Sequence, residues 1–302
     1  MRFGKDGFRL TFDIPTYRDL PVYNEPSIYH YTGHDALLSI IGNNQLWATN
    51  VRFLNDHSEF QHGVDLIAEI WRETRSEYDK SIREQIDVLL ATIQSIYPFD
   101  KFFIVSASSE AEDVSQFERY GEYSVEFDSQ QLIYSAKNRA SFPNDMKLLS
   151  LPPGWRQVAY ERDDKASRIA EFFRAVKRRV VQHPDWQPME NEILTIWFGW
   201  WYVHLISVLK DRSFKSEAEA RFLMVTEATF DEVFYRTSRY DENTPYTKLA
   251  VIGPDDSTSL LPIRRILVSP QKYAEANASA IKSALTSAGH DVPVTVSTIP
   301  LR

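Results

Sequence analysis

Cysteine is absent from this 302-residue sequence, and glycine is scarce, with only 10 residues. Without thiols the chain can form neither a disulfide framework nor a thiolate metal site, and a cysteine nucleophile is excluded. Neither GxGxxG nor GxxxxGKS/T occurs, so the two commonest phosphate-binding loops are missing as well. These absences exclude thiol chemistry and the most frequent nucleotide-binding motifs.

Long apolar runs are missing too. No window reaches the roughly 18 uncharged apolar residues that a transmembrane helix needs. The nearest stretch, 193–209, is interrupted by Gly199, His204 and Ser207. The first ten residues, MRFGKDGFRL, carry charges where a signal peptide has an apolar run. We therefore expect a soluble, cytoplasmic protein without a membrane partner.

Acidic residues outnumber basic ones by 42 to 34, which gives a net charge of −8 at pH 7. This balance argues against broad, nonspecific binding of nucleic acid but permits one local basic face. Such a face is offered by four cations near the end of a predicted helix, Arg174, Lys177, Arg178 and Arg179. Cations at that position also complement the helix dipole. The cluster therefore predicts either a nucleic-acid contact or a solvated surface.

Predicted strands and helices alternate irregularly, without the βαβ rhythm of a parallel sheet, which favours an α+β fold. We expect an irregular N-terminal arm, 1–27, and one domain, 28–302, with helical insertions at about 59–97 and 163–209. Strands are predicted at 27–32, 46–49, 101–106, 123–127, 220–226, 233–237, 248–252, 263–268 and 292–297. Helices are predicted at 36–41, 59–97, 163–181, 189–209 and 273–287.

The first candidate site residues lie on the predicted strand 27–32. Residues two apart on a strand point to one face, so His30 and Thr32 would place an imidazole beside a hydroxyl. Such a pair can hold a ribose edge or the amide of a flat ring. A histidine whose ring is hydrogen-bonded within the core is the simpler interpretation. His34 follows four residues later, across a strand-to-helix junction, which makes the spacing a weak indication of a metal site.

Polar residues precede the long predicted helix. Arg52, Asn55 and Asp56 are candidates for a binding loop. The alternative is that Asn55 or Asp56 caps the helix, with Glu59 completing a capping box.

Two later segments place polar side chains on strand faces. Ser106 and Ser108 share a face if their strand continues that far, although serines at a strand end commonly form turns. Glu217, Glu219 and Arg221 also alternate, and on a strand they would bring two carboxylates beside one guanidinium. A solvated charged edge is the alternative.

Together these segments resemble a widespread bacterial family catalogued as a domain of unknown function. The shared pattern includes Tyr29-His30-Tyr31-Thr32, Phe53-Leu54-Asn55-Asp56, Gln116-Phe117-Glu118-Arg119-Tyr120 and Ser216-Glu217-Ala218-Glu219-Ala220-Arg221. The likeness runs in order from residue 28 to residue 302. Membership of that family does not imply an activity.

A more distant resemblance, to ADP-ribosyltransferases and notably to the DarT-like toxins that modify DNA, does imply an activity. In that superfamily a His-x-Thr strand grips NAD, a later Ser or Tyr element packs on the nicotinamide side, and a final glutamate is catalytic. The resemblance implies that Glu219 is catalytic together with Glu217. The residues it assigns to NAD binding are His30, Thr32, Tyr31, Arg52, Asn55, Asp56, Ser106, Ser108, Tyr120 and Arg221. The chain combines the histidine opening of one branch with the Ser-x-Ser element of another.

The chemistry fits these residue types. Cleavage of the bond between nicotinamide and ribose builds oxocarbenium character, which a nearby carboxylate stabilises. We expect an NAD-dependent mono-ADP-ribosyltransferase, a bacterial toxin or phage-defence effector that uses no metal and whose acceptor, nucleic acid or protein, is open. The expected fold has a split or strongly bent mixed sheet flanked by helices, as in ADP-ribosyltransferases.

Two other functions remain open. The same fold could serve as a noncatalytic module that binds a nucleotide or a protein, and such a module would tolerate replacement of Glu219. A metal-dependent hydrolase or nuclease could instead be built on His30, His34, Asp56 and His57, and chelation would abolish its activity.

Overall fold

Strands and helices are mixed along the part of the chain that the structure, a computed structural model, describes: residues 22–54, 59–131, 134–135, 154–189, 193–225, 233–237, 243–252 and 258–299. The strands are β1 (Ser27–Thr32), β2 (Leu46–Asn50), β3 (Phe102–Ser108), β4 (Tyr123–Asp128), β5 (Tyr134–Ser135), β6 (Arg156–Gln157), β7 (Glu219–Val225), β8 (Phe234–Arg236), β9 (Thr244–Ile252), β10 (Thr258–Ser259), β11 (Ile263–Val268) and β12 (Val294–Val296). The helices are α1 (His34–Asn43), α2 (Glu59–Thr74), α3 (Lys80–Ile96), α4 (Val114–Tyr120), α5 (Arg162–Gln182), α6 (Ile193–Ser207) and α7 (Ala274–Ser287).

Most predicted elements are present with shifted ends. The segment 59–97 forms two helices, because a 3₁₀ turn at Arg75–Glu77 interrupts the pattern and Asp79 starts α3. Helix α4 and the short strands β5, β6 and β10 were not predicted from the sequence. Of the expected N-terminal arm, only residues 22–27 are described. None of the described helices is long and apolar enough to cross a membrane.

The strands form an open, mixed sheet in the order β10-β9-β2-β3-β1-β4-β11-β12. Strands β11 and β12 pair in parallel, whereas every other pair of adjacent strands in this order is antiparallel. Strand β7 lies outside this order and pairs with β3. The predicted α+β class, with a mixed sheet flanked by helices, is therefore confirmed.

Strand β3 has a different arrangement on each of its two edges. Along one edge it pairs with β7 over its full length, from Phe102 to Ser108. On the other edge Ile104 pairs with β2, whereas Ser108 pairs with β1. Backbone groups of alternate residues point to the same edge of an antiparallel strand, so Ser106 faces the interval between β2 and β1. The two neighbouring strands thus diverge at Ser106.

Hydrophobic cores lie on both faces of the sheet. The four long helices α2, α3, α5 and α6 share one core, in which Ile86, Phe172 and Trp201 are buried, and this layer covers Phe102 of β3. The other face packs against α1 and α7 and includes Phe103. Burial on both faces explains why β3 reads as a continuous apolar run. The two segments expected as separate helical insertions form one layer.

A close approach of backbone fixes the end of α4 against β1. Gly121 has φ 127°, and a Cβ atom there would lie 2.5 Å from Cα of Gly33. Only glycine adopts such a conformation without strain and leaves room for the neighbouring chain. This contact places the residue that ends α4, Tyr120, beside the end of β1.

Candidate functional site

A cleft of about 330 Å³ opens where β1 and β2 diverge from β3. Its walls come from these three strands, from β7 and β8, from the start of α2 and from the end of α4. The predicted site residues that line it are His30, Tyr31, Thr32, Ser106, Ser108, Tyr120, Glu217, Glu219 and Arg221. Segments that are distant in the sequence therefore meet at one place in the fold.

His30 spans the gap between the strands. Its Nδ1 lies 2.9 Å from the carbonyl oxygen of Ser106, so that Nδ1 carries the proton and donates it to this bond. Burial lowers the pKa of His30, and the nearby charge of Arg236 adds to this, while the bond to Ser106 opposes it. The ring is therefore neutral at pH 7, and Nε2 is a hydrogen-bond acceptor. Thr32, two residues on, is buried and also lines the cleft.

Tyr31 holds a loop by its hydroxyl. The hydroxyl donates to the carbonyl oxygen of Glu110 over 2.8 Å and accepts from the backbone N–H of Asp113 over 3.0 Å. Its ring packs edge-on against Phe117. These contacts fix the segment that leads into α4 and occupy the polar end of Tyr31.

The two serines of β3 differ in their contacts. Ser106 meets His30 through its carbonyl group, as described above. The buried hydroxyl of Ser108 donates to the carbonyl oxygen of Glu217 over 2.9 Å and accepts from the N–H of Glu110 over 3.1 Å. Ser108 therefore fixes the chain around Glu217, and its hydroxyl is already engaged.

The expected strand face of two glutamates and one arginine is only partly present. Glu219 begins β7 and shares a face with Arg221, whose Nε donates to Oε1 of Glu219 over 2.7 Å. Glu217 instead ends the 3₁₀ helix Arg212–Glu217, and Ala218 after it adopts φ 45°. The strand face considered for all three residues is therefore limited to Glu219 and Arg221, because the turn at Ala218 interrupts the alternation before Glu219.

Lys210 connects three carboxylates in the wall of the cleft. Its Nζ lies 2.6 Å from Glu217, 2.8 Å from Glu219 and 3.0 Å from Glu59. Only 4% of Lys210 and 5% of Glu219 are exposed to solvent. Buried charges of this kind are tolerated when each is paired and hydrogen-bonded.

Two arginines complete the charge cluster. Arg221, which is 2% exposed, pairs with Glu59 as well as with Glu219. Arg119, which is more exposed, lies 2.5 Å from Glu217. Among the described residues, the cluster thus contains three carboxylates and three cations, and its charges balance.

The charge of Glu219 is held by its neighbours. Burial alone would raise the pKa of Glu219, but Arg221 and Lys210 outweigh it and lower the pKa to about 2. A carboxylate with that pKa is a poor proton acceptor and suits electrostatic stabilisation instead. It accepts three hydrogen bonds from these two residues, which leaves about one of its roughly four lone-pair sites for a ligand.

Three charged residues of the cleft were not among the residues predicted for the site. Glu59 was interpreted as part of a helix cap, but its buried carboxylate joins Lys210 and Arg221. Lys210 follows directly on the apolar run of α6, and a lone cation at such a boundary was the available signal. Arg236 ends β8, and its sequence neighbours gave no indication of the cleft.

Some predicted site residues are not brought to the cleft. Arg52 is exposed and does not line it, although Phe53 and Leu54 beside it do. Asn55 and Asp56 lie outside the described residues.

The histidines proposed for a metal site have other contacts. Nδ1 of His30 is bound to Ser106, and Nδ1 of His34 lies 3.0 Å from the hydroxyl of Tyr123. Asp56 and His57 lie outside the described residues. Within the described ranges, no three histidine or acidic side chains form a group that could hold a metal ion.

The four cations of α5 do not form one basic face. Arg179 is buried, with 9% of its surface exposed. Arg174 and Arg178 both pair with Glu171, at 2.9 and 2.8 Å. The expectation that four cations share one exposed basic face is therefore wrong for Arg179, because that side chain is buried.

The cleft therefore combines a neutral imidazole acceptor, a carboxylate fixed in its charged form, and the guanidinium of Arg236. This set can hold a polyhydroxylated ligand and stabilise a developing positive charge. In comparisons with protein-family models, curated proteins and solved structures, the chain finds no match.

Proposed function

We propose that the chain is an NAD-dependent mono-ADP-ribosyltransferase whose catalytic cleft lies between β1 and β2. The observation that carries the proposal is the convergence of His30, Thr32, Glu217 and Glu219 on one cleft. The sequence resemblance assigns these residues to NAD binding and catalysis. The divergence of two strands from a shared edge of β3 supports the split sheet expected of this fold.

In the proposed reaction, the bond between the ribose C1′ and the nicotinamide nitrogen breaks, and its electron pair leaves with nicotinamide. An acceptor nucleophile then forms a bond to C1′ and loses its proton to solvent. Glu219 accepts a hydrogen bond from the ribose 2′-hydroxyl and stabilises the oxocarbenium-like state by its charge. His30, through Nε2, and Thr32 orient the ribose and the nicotinamide.

The test follows release of nicotinamide from NAD carrying a label in that ring, with and without nucleic acid or cell lysate as acceptor. We expect release by the wild type and a decrease of about 10²–10³-fold for Glu219→Gln, since the amide lacks the charge. Glu126→Gln is the matched control, because Glu126 is also ion-paired, to Arg265 at 2.8 Å, but lies outside the cleft.

Loss of Glu219 alone unbalances the buried cluster, so folding has to be separated from chemistry. The double variant Glu219→Gln/Lys210→Met removes one charge of each sign. The single variant Lys210→Met is measured beside it, because it shows what the loss of Lys210 alone does to nicotinamide release. A double variant that folds like the wild type but releases no nicotinamide supports a catalytic carboxylate. A folded double variant with wild-type release contradicts it.

A second function, a noncatalytic nucleotide-binding module, is favoured by one observation. Both oxygens of Glu219 are bound to Lys210 or Arg221, as in a purely structural ion cluster. Under this alternative the wild type binds NAD without releasing nicotinamide under any acceptor condition.

A further inference from the structure

Arg236 differs in its contacts from Lys210 and Arg221, two other cations that line the cleft. Lys210 and Arg221 are each paired with glutamates. Arg236 forms no ion pair among the described residues, and its buried Nε has no hydrogen-bond partner there. A desolvated, unpaired guanidinium is costly, and a bound anion would offset that cost.

Its neighbours hold Arg236 in one orientation. One terminal nitrogen donates to Oγ1 of Thr49 over 2.8 Å. The guanidinium lies over the rings of Trp47 and Tyr246, 5.5 and 5.6 Å from their centroids. Stacking of this kind preorganises the planar fork, which matches the geometry of a phosphate group.

We propose that Arg236 forms a phosphate-binding subsite of the cleft, which holds the phosphate groups of a nucleotide. The subsite is formed by Arg236 of β8, whereas the glutamates that line the same cleft come from α2, from the turn before β7 and from β7 itself. A small ligand is favoured over a nucleic-acid backbone, because the cleft measures about 330 Å³ and Arg236 is partly buried in it. Only the identification of the nucleotide with NAD rests on the proposed function.

Calorimetric titration with ADP, NAD and adenosine tests this subsite. Arg236→Met, which keeps side-chain length but removes the charge, should weaken binding of ADP and NAD about ten- to hundredfold, the scale of losing a hydrogen bond to a charged group. Adenosine, which has no phosphate, should bind both forms equally. Arg236→Lys, which keeps the charge without the fork, should give an intermediate loss.

The matched control is Lys248→Met. Lys248 also lies over an aromatic ring, that of Phe234 at 4.0 Å, but does not line the cleft. The ADP affinity of Lys248→Met should equal that of the wild type. Circular dichroism should show that Lys248→Met and Arg236→Met are both folded. If Arg236→Met fails to fold, Thr49→Val tests the same point, since it removes the acceptor that orients Arg236 and should weaken ADP binding by a smaller factor.

Unchanged ADP affinity in folded Arg236→Met overturns the subsite, and so does a wild type that binds no ADP. A wild type that binds a short oligonucleotide but not ADP assigns Arg236 to nucleic acid instead. The two proposals fail separately. ADP binding that depends on Arg236, in a protein that releases no nicotinamide, supports the subsite and contradicts the proposed activity. Normal nicotinamide release with an unchanged KM for NAD in Arg236→Met supports the activity and contradicts the subsite.

Discussion

Nζ of Lys210 lies 2.8 Å from Oε2 of Glu219, and both side chains are almost completely buried. The proposed catalytic carboxylate is therefore part of the core as well as of the cleft. Any change in this pair acts on stability and on chemistry together.

Lys210→Met should destabilise the fold by about 3–5 kcal/mol, because three carboxylates would share only two arginines in a buried site. Denaturation in urea measures this loss. Lys282→Met is the comparison, since Lys282 pairs with an exposed aspartate, Asp291, and should cost no more than about 1 kcal/mol. Equal effects of the two substitutions would contradict a structural role for Lys210.

Stability should fall in acid through Glu219. Its pKa is 4.5 without the fold and about 2 within it. A carboxyl group with a lowered folded pKa contributes stability that is complete above pH 4.5 and is lost as the pH falls towards 2. Urea unfolding between pH 5 and pH 2.5 should therefore be less pH-dependent for Glu219→Gln/Lys210→Met than for the wild type. If the free energy of unfolding depends on pH equally in the wild type and in the double variant, Glu219 is not held in its ionised form by the fold.

His30→Ala should raise the KM for NAD, or weaken NAD binding, more than it lowers the rate of nicotinamide release from the bound complex. The reason is that His30 holds the ligand in the ground state and in the transition state alike. Burial lowers the pKa of His30 below its ordinary value of 6.5, so any loss of wild-type NAD binding in acid that comes from His30 should have its midpoint below pH 6.5. Binding that changes with a midpoint near 6.5 would show that the imidazole titrates as in solution.

Gly121→Ala should destabilise the protein by several kcal/mol, as an introduced Cβ would be 2.5 Å from Gly33 and the backbone has φ 127°. Gly42→Ala is the control, because a Cβ there meets nothing within 4 Å and Gly42 lies in α1. The control should gain about 0.5–1 kcal/mol. Thermal unfolding of both variants tests the contrast.

Two tryptophans of α6 provide a test of the helical core. Trp201 is 1% exposed, whereas Trp200 is only partly buried at the edge of the same core. Trp201→Ala should cost about 3–5 kcal/mol and Trp200→Ala clearly less. Equal losses in urea unfolding would show that α6 is oriented differently.

The strands that line the cleft were predicted well from the sequence, for physical reasons, whereas helix α4 was not. Strands β1, β3 and β7 carry apolar residues with the polar ones at spacings of two, so that His30 and Thr32 could be placed on one face. That these strands meet followed only from the family resemblance. Strand order depends on long-range pairing, such as Tyr29 with Ser108, and single-strand patterns do not encode it.

Only part of the charge cluster followed from such patterns. The contact of Glu219 with Arg221 was predicted from their spacing of two, whereas Glu59 and Lys210 come from two other segments, and each taken alone reads as an ordinary surface charge. Their burial results from the packing of α2 and the end of α6 against β7. The turn at Ala218 was missed for a different reason, since a non-glycine residue with φ 45° has no sequence signal.

The gap between β1 and β2 also affects how the protein avoids aggregation. An unpaired stretch of strand backbone at the outer edge of a sheet is open to strands of other molecules. In this fold the unpaired stretch lies inside the sheet, and the side chain of His30 occupies the carbonyl of Ser106 that a neighbouring strand would otherwise bind. The carbonyl group of Ser106 is thus bound within the molecule and is not available to a strand of a second polypeptide.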